Sequence, residues 1–350
     1  MIKRLFWNDT QQRLRTFWRL AIQTLAYVSL IFALGILIGL VAALYGMATG
    51  QVSPSDPESF QQMSGMLLES PIFRLLFTGG DFVITLLTVW LAGKFLDRRP
   101  FTNFGFHLNG RWWADLGFGL ALGALLMAAV FLVELALGWV EIADTFQAGA
   151  AYPFILAVGA SLIVFIFVGI KEEVLSRGYH LLNMAEGLNF PGLSPQVAIL
   201  LAYVLSSAIF GLLHATNPNA TVISTINLVI AGLFLGLGYV LTGELGIPIG
   251  LHITWNFFQG NVFGFPVSGT SSGGSIIAID QRGPEVWTGG AFGPEAGLIG
   301  LAAIAVGSLL TFVWVRWLRG KIALQPSLAT YTPPAQSTAT DEPGGETEAD

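Results

Sequence analysis

Between Phe167 and Tyr179 the chain reads FVGIKEEVLSRGY, an apolar run that ends in two adjacent glutamates with an arginine four residues after the second. Carboxylates in or beside a bilayer are costly unless something there needs them. Adjacent helical residues point about 100° apart, so Glu172 and Glu173 are expected to face different partners. Glu173 and Arg177 have the acid first at a four-residue spacing, which favours an ion pair along one helix face, and Glu172 is left free for other work. The plain alternative is that Lys171, Glu172, Glu173 and Arg177 are the charged end of a membrane helix. Two further pairs repeat the spacing: Phe210 with His214, and His252 with Asn256. A lone histidine at a helix end is commonly a packing residue, but glutamates, two histidines and an asparagine within residues 172–256 make a joint accident a poor account. The chain has no cysteine, so metal binding or water activation must fall to His, Asp, Glu or Asn. Proton or cation relay is the other chemistry such groups serve inside a membrane.

The elements that must position these residues are membrane helices. Of 350 residues, 53% are hydrophobic and 11% charged, with mean hydropathy +0.67, against the roughly 25% charged usual in soluble domains. Eight apolar spans are expected, at about 20–45, 72–92, 113–137, from 152 into the glutamate stretch, 195–214, 222–241, 247–263 and 296–318. Each is near the ~20 residues that cross a hydrocarbon core. The fold class expected is all-α, a polytopic bundle of about eight transmembrane helices with the site among the fourth, fifth and seventh.

Residues 1–19 form a basic N-terminal segment, and the apolar run after it is too long for a signal sequence. Residues 20–320 form the membrane domain, with a catalytic core at about 152–265. Residues 321–350 are polar and poor in large apolar groups, and read as a disordered cytoplasmic tail. With both termini in the cytoplasm, alternating spans put every base except Arg74 and Arg282 on the cytoplasmic side, as the positive-inside rule requires. A multi-pass cell-membrane protein, of prokaryotic style, is the expected setting; its partners are the lipid bilayer and a membrane-associated peptide or protein, with no nucleic acid.

Glu172 precedes the Pro191–Ser194 break by about as many residues as His214 follows it, so an antiparallel hairpin brings the two to similar depth. His252 lies only about six residues into its span, roughly 9 Å along the axis, and its depth relative to Glu172 is left to tilts or breaks. Glycine pairs at Gly35/Gly39, Gly119/Gly123, Gly232/Gly236 and Gly246/Gly250 are expected to let helices approach closely. Asp81 and Glu134 are expected as interhelical hydrogen-bond partners, Glu244 as a loop residue, and His107 and His180 as interfacial groups.

Glu172-Glu173-x-x-x-Arg177, Phe210-x-x-x-His214 and His252-x-x-x-Asn256, in this order on membrane spans, resemble the three motifs of the CPBP family of CAAX-processing and bacteriocin-processing intramembrane proteases. The glycine-rich stretch 267–295, with TGGAFGPE before the last span, is also similar to bacterial members. Ser176 departs from the pattern, since many members carry an aromatic residue before the arginine; the difference bears on packing beside the site.

The resemblance implies an endopeptidase that hydrolyses a peptide bond of a membrane-associated substrate. Glu172 and His214 would hold and deprotonate a water, His252 and Asn256 would stabilise the oxyanion, and Glu173, Arg177 and Phe210 would support them. The resemblance also implies a metalloprotease, with Glu172, His214 and His252 as the zinc set; the ion is left open, since there is no HExxH helix and the family also resembles a glutamate-activated-water design without obligatory metal. Two alternatives stand beside this: a catalytically silent immunity or regulatory protein of the same fold, and a proton- or cation-coupled transporter. No internal repeat of the kind many transporters carry is visible.

Overall fold

The structure is a computed structural model that describes residues 3–53, 55–148, 152–271 and 273–333. Helix α1 (Lys3–Phe6) and a small hairpin, β1 (Trp7–Asn8) with β2 (Arg13–Leu14), precede α2 (Thr16–Ala48). Then come α3 (Pro57–Glu69), α4 (Pro71–Ala92), α5 (Gly110–Ala136), β3 (Val140–Ala148) and α6 (Phe154–Glu173). A π-helical stretch, Val174–Leu181, joins α6 to α7 (Leu182–Leu188) without a break. The chain continues through α8 (Pro195–Leu213), α9 (Val222–Thr242), α10 (Gly246–Phe257), β4 (Gly274–Gln281), α11 (Glu285–Thr288) and α12 (Leu298–Arg319). It is an all-α membrane bundle, and β3 with β4 adds only an antiparallel ribbon.

Seven helices among the described residues are long and apolar enough to cross a membrane, one fewer than the eight spans expected. The seventh expected span is instead α10 followed by a π-turn, Phe258–Val262, and α10 is buried along nearly its whole length. It packs inside the other helices, and its glycines explain how. A Cβ on Gly119 would lie 2.4 Å from the Ile247 carbonyl oxygen, and one on Gly250 would lie 2.4 Å from that of Leu116. The pairs Gly119/Gly123 and Gly246/Gly250 therefore face each other and bring the α5 and α10 backbones into direct contact. Gly232 lies against Ser207 of α8 in the same way, whereas among the described residues nothing from elsewhere in the fold lies within 4 Å of a Cβ on Gly35 or Gly39. The packing expected of that last pair is not made among them.

The two described ends of the chain meet. Arg13 and Arg19 form buried ion pairs with Asp97 and Glu186, and Arg99 joins Glu186. The Tyr331 ring lies over the Arg13 guanidinium at 3.4 Å, and its hydroxyl donates to the Arg98 carbonyl at 3.3 Å. The first part of the expected disordered tail is thus packed: Leu328 and Ala329 are buried, and the Gln325 amide donates to the Leu241 carbonyl at 2.8 Å. Residues 334–350, the remainder of that tail, lie outside the described residues.

A candidate hydrolytic site among α6, α8 and α10

The site begins with Gly169. A Cβ there would meet Ile253 Cγ1 at 2.6 Å, so α6 rides directly on α10 one turn before the glutamates. Beyond Glu173 the backbone widens into the π-helical stretch, a distortion that often accompanies functional sites. Glu172 and Glu173 close α6 just before this stretch, next to His252.

Glu173 is fully buried and accepts from Arg177 Nη1 at 2.9 Å, the pair expected from the spacing. The same Oε1 lies 2.8 Å from His252 Nδ1, while His252 Nε2 is 3.9 Å from Glu172 Oε2. The expectation that the two glutamates address different partners is therefore corrected. Both meet His252, because the imidazole offers a nitrogen on each side of its ring. A gap of 3.9 Å is too long for a direct hydrogen bond and is of the size a bridging water fills.

His214 caps α8, and its Nδ1 lies 2.8 Å from the Phe210 carbonyl. A carbonyl only accepts, so Nδ1 carries the proton and Nε2 is left as the free acceptor of the neutral ring. Phe210 sits between the functional groups: its ring centroid is 4.7 Å from that of His214 and 6.2 Å from that of His252, and the Arg177 guanidinium lies over its face at 4.7 Å. Arg177 also donates to the Gly232 carbonyl of α9 at 2.8 Å, tying a fourth helix to the cluster.

Glu172, His214, His252 and Asn256 all line one cavity of 160 Å³, together with Phe210, Trp255, Ser268, Thr270 and Glu295. A second hollow of 400 Å³, between α2, α4 and α8, shares Glu172, Phe210, His214 and Asn217 with it. His252 and Glu172 thus reach one site despite their different positions along their spans, because α10 is short and begins deep among the other helices.

Two neighbours have more specific partners than the sequence suggested. Lys171, read as a helix-end charge, is mostly buried; its Nζ lies 2.6 Å from Asp81 Oδ2 and 3.7 Å from Glu172 Oε1. Tyr27 donates to the other Asp81 oxygen at 2.9 Å, which makes Asp81 the interhelical partner expected. His180 meets Gln23 at 3.2 Å and lines the second hollow. Glu295 is the residue that motif reasoning left without a role. It is 3% exposed and lies in the cavity wall, and the sequence signal for it was the GPE before the last span.

Among the described residues no three His, Asp or Glu side chains converge closely enough to hold a metal ion. The zinc set of Glu172, His214 and His252 is not assembled as such, and no step below passes through a metal.

Fold and site together describe a multi-pass α-helical membrane protein with a buried carboxylate–imidazole site. Residues 153–258, which contain every motif residue named above, match the family model described as type II CAAX prenyl endopeptidase Rce1-like. The chain is also similar to the uncharacterized protein YyaK of Bacillus subtilis (strain 168), 26% identical over 248 residues that cover 69% of this chain and 77% of that one. No solved structure matches it.

Proposed function

We propose that the protein is an intramembrane endopeptidase that hydrolyses a peptide bond of a membrane-associated polypeptide with a water activated by Glu172 and His214. The observation that carries this reading is the shared 160 Å³ cavity, where four polar side chains from three helices converge among apolar walls. Water in the Glu172–His252 gap gives its proton to the Glu172 carboxylate, with the free Nε2 of His214 as the second acceptor lining the same cavity. The hydroxide attacks the scissile carbonyl carbon. The oxyanion that forms takes hydrogen bonds from Asn256 Nδ2 and from His252 Nε2 in its protonated form. Glu173 holds the other side of that ring, its carboxylate 2.8 Å from Nδ1. Collapse of the intermediate breaks the C–N bond, and the proton held by Glu172 passes to the leaving amine.

Glu172→Ala and His214→Ala are each expected to abolish cleavage without lowering membrane abundance, read by comparing membrane peptides from cells carrying wild-type and variant protein. Full activity in either variant ends the assignment. Zinc at the Glu172–His214–His252 trio is the less favoured form of the same proposal. Chelator-washed protein is expected to stay active, and one zinc per chain in such a preparation would reverse that preference. A silent regulatory protein of this fold would show no fragment dependent on Glu172, and a carrier would keep proton-coupled flux when that residue is replaced.

A further inference from the structure

The 160 Å³ cavity has Val267, Ser268 and Thr270 in its wall. It shares Glu172, Phe210, His214 and Asn217 with the 400 Å³ hollow. A third hollow of 620 Å³ lies beside the β3–β4 ribbon and includes Pro266, Gly269 and Thr270. Thr270 lines both this hollow and the catalytic cavity, so what divides them is the turn Val267–Ser268–Gly269–Thr270.

That turn is closed by two reciprocal hydrogen bonds of 2.9 Å between Val267 and Thr270. Its central residues both have positive φ, +46° at Ser268 and +81° at Gly269. Glycine tolerates that conformation and serine does not favour it, so something else must hold Ser268. Glu295 does so: its Oε1 accepts from the Ser268 amide at 2.5 Å and from the Ser268 hydroxyl at 3.1 Å. Gln259 donates to the other oxygen of Glu295 and, at 2.6 Å, to the Pro266 carbonyl. From the opposite side Asn217 Nδ2 donates to the Ser268 carbonyl at 2.9 Å.

We infer that Glu295 is a positioning residue for this site: it fixes the Val267–Thr270 turn as the partition between the catalytic cavity and the outer hollow, and the turn determines whether a polypeptide continuing past the scissile bond is admitted. The substrate part of this inference rests on the proteolytic reading; the partition does not. With the turn seated, substrates whose chain ends within the cavity are served, and displacement of the turn joins all three hollows into one passage for internal bonds.

The absence of cysteine makes the partition measurable. In full-length protein carrying Val267→Cys as its single thiol, Glu295→Gln is expected to raise the rate of N-ethylmaleimide labelling at least tenfold. Labelling of Ala198→Cys, buried in the bundle away from the turn, should stay unchanged. Glu295→Asp, which keeps the carboxyl group but shortens the reach, should give an intermediate rate and serves if the glutamine variant does not fold. An unchanged rate at position 267, or an equal rise at position 198, overturns the inference. In the same preparations, Glu172-dependent cleavage of a membrane peptide pool should shift towards internal bonds in Glu295→Gln, through KM with kcat kept. If wild-type protein gives no such cleavage, the proteolytic reading fails, while the labelling ratio still decides the partition.

Discussion

At the scale of the residue, the site depends on which atoms are already occupied. His214 gives its Nδ1 proton to a carbonyl and His252 turns its Nδ1 to Glu173, so both imidazoles are oriented with Nε2 free. Asn256→Ala should then lower kcat by about a hundredfold to a thousandfold, the usual loss on removing one oxyanion donor, with KM little changed. Arg177→Met leaves Glu173 buried with one partner fewer, and breaking a buried pair in this way costs about 3–5 kcal/mol. The expected readout is a lower melting temperature in detergent, not activity alone. Glu295 adds a pH dependence. Burial pushes its carboxyl up from 4.5 to about 7, so the folded form holds the proton more tightly than the unfolded chain. Its contribution is complete below pH 4.5 and is lost as pH rises to 7, by roughly 3 kcal/mol at about 1.36 kcal/mol per unit. Melting temperatures of wild-type protein should fall over that window relative to those of Glu295→Gln.

At the scale of the element, the helix to watch is α10. It is too short to be a typical span and would be unremarkable without glycine: the contacts at Gly119, Gly123, Gly246 and Gly250 are backbone to backbone. Gly250→Val should displace α10 from α5, since the added carbon meets a carbonyl that cannot move aside, and cost about 1–3 kcal/mol or more. Gly39→Val, with open space around it, should leave folded yield unchanged. Size-exclusion profiles of the two variants compare them directly. The helical periods of the other spans were legible because lipid demands long apolar runs with satisfied backbones. The α10 segment misled because a buried helix and a lipid-facing one have the same apolar composition, and only the surrounding helices distinguish them.

At the scale of the molecule, the two described ends of the chain are held together by the Arg13, Arg19, Asp97, Arg99 and Glu186 cluster. Positive-inside placement proposes that this end is cytoplasmic and that the β3–β4 ribbon lies on the other side. Single cysteines at Gln11 and Asp280 test this. An impermeant maleimide should label position 280 in intact cells and position 11 only after permeabilisation, and the opposite pattern reverses the orientation.

The sequence by itself determined the membrane class and the three motif pairs, because each follows from local rules of hydropathy and i,i+4 spacing. It also contained the Glu173–Arg177 bond, which lies within one helix face. Only the tertiary structure decided that both glutamates meet a single histidine, that Lys171 is drawn to Asp81, and that Glu295 supports the turn over the cavity. Those contacts join residues 27 to 90 positions apart, and their geometry depends on how closely glycines let the helices approach.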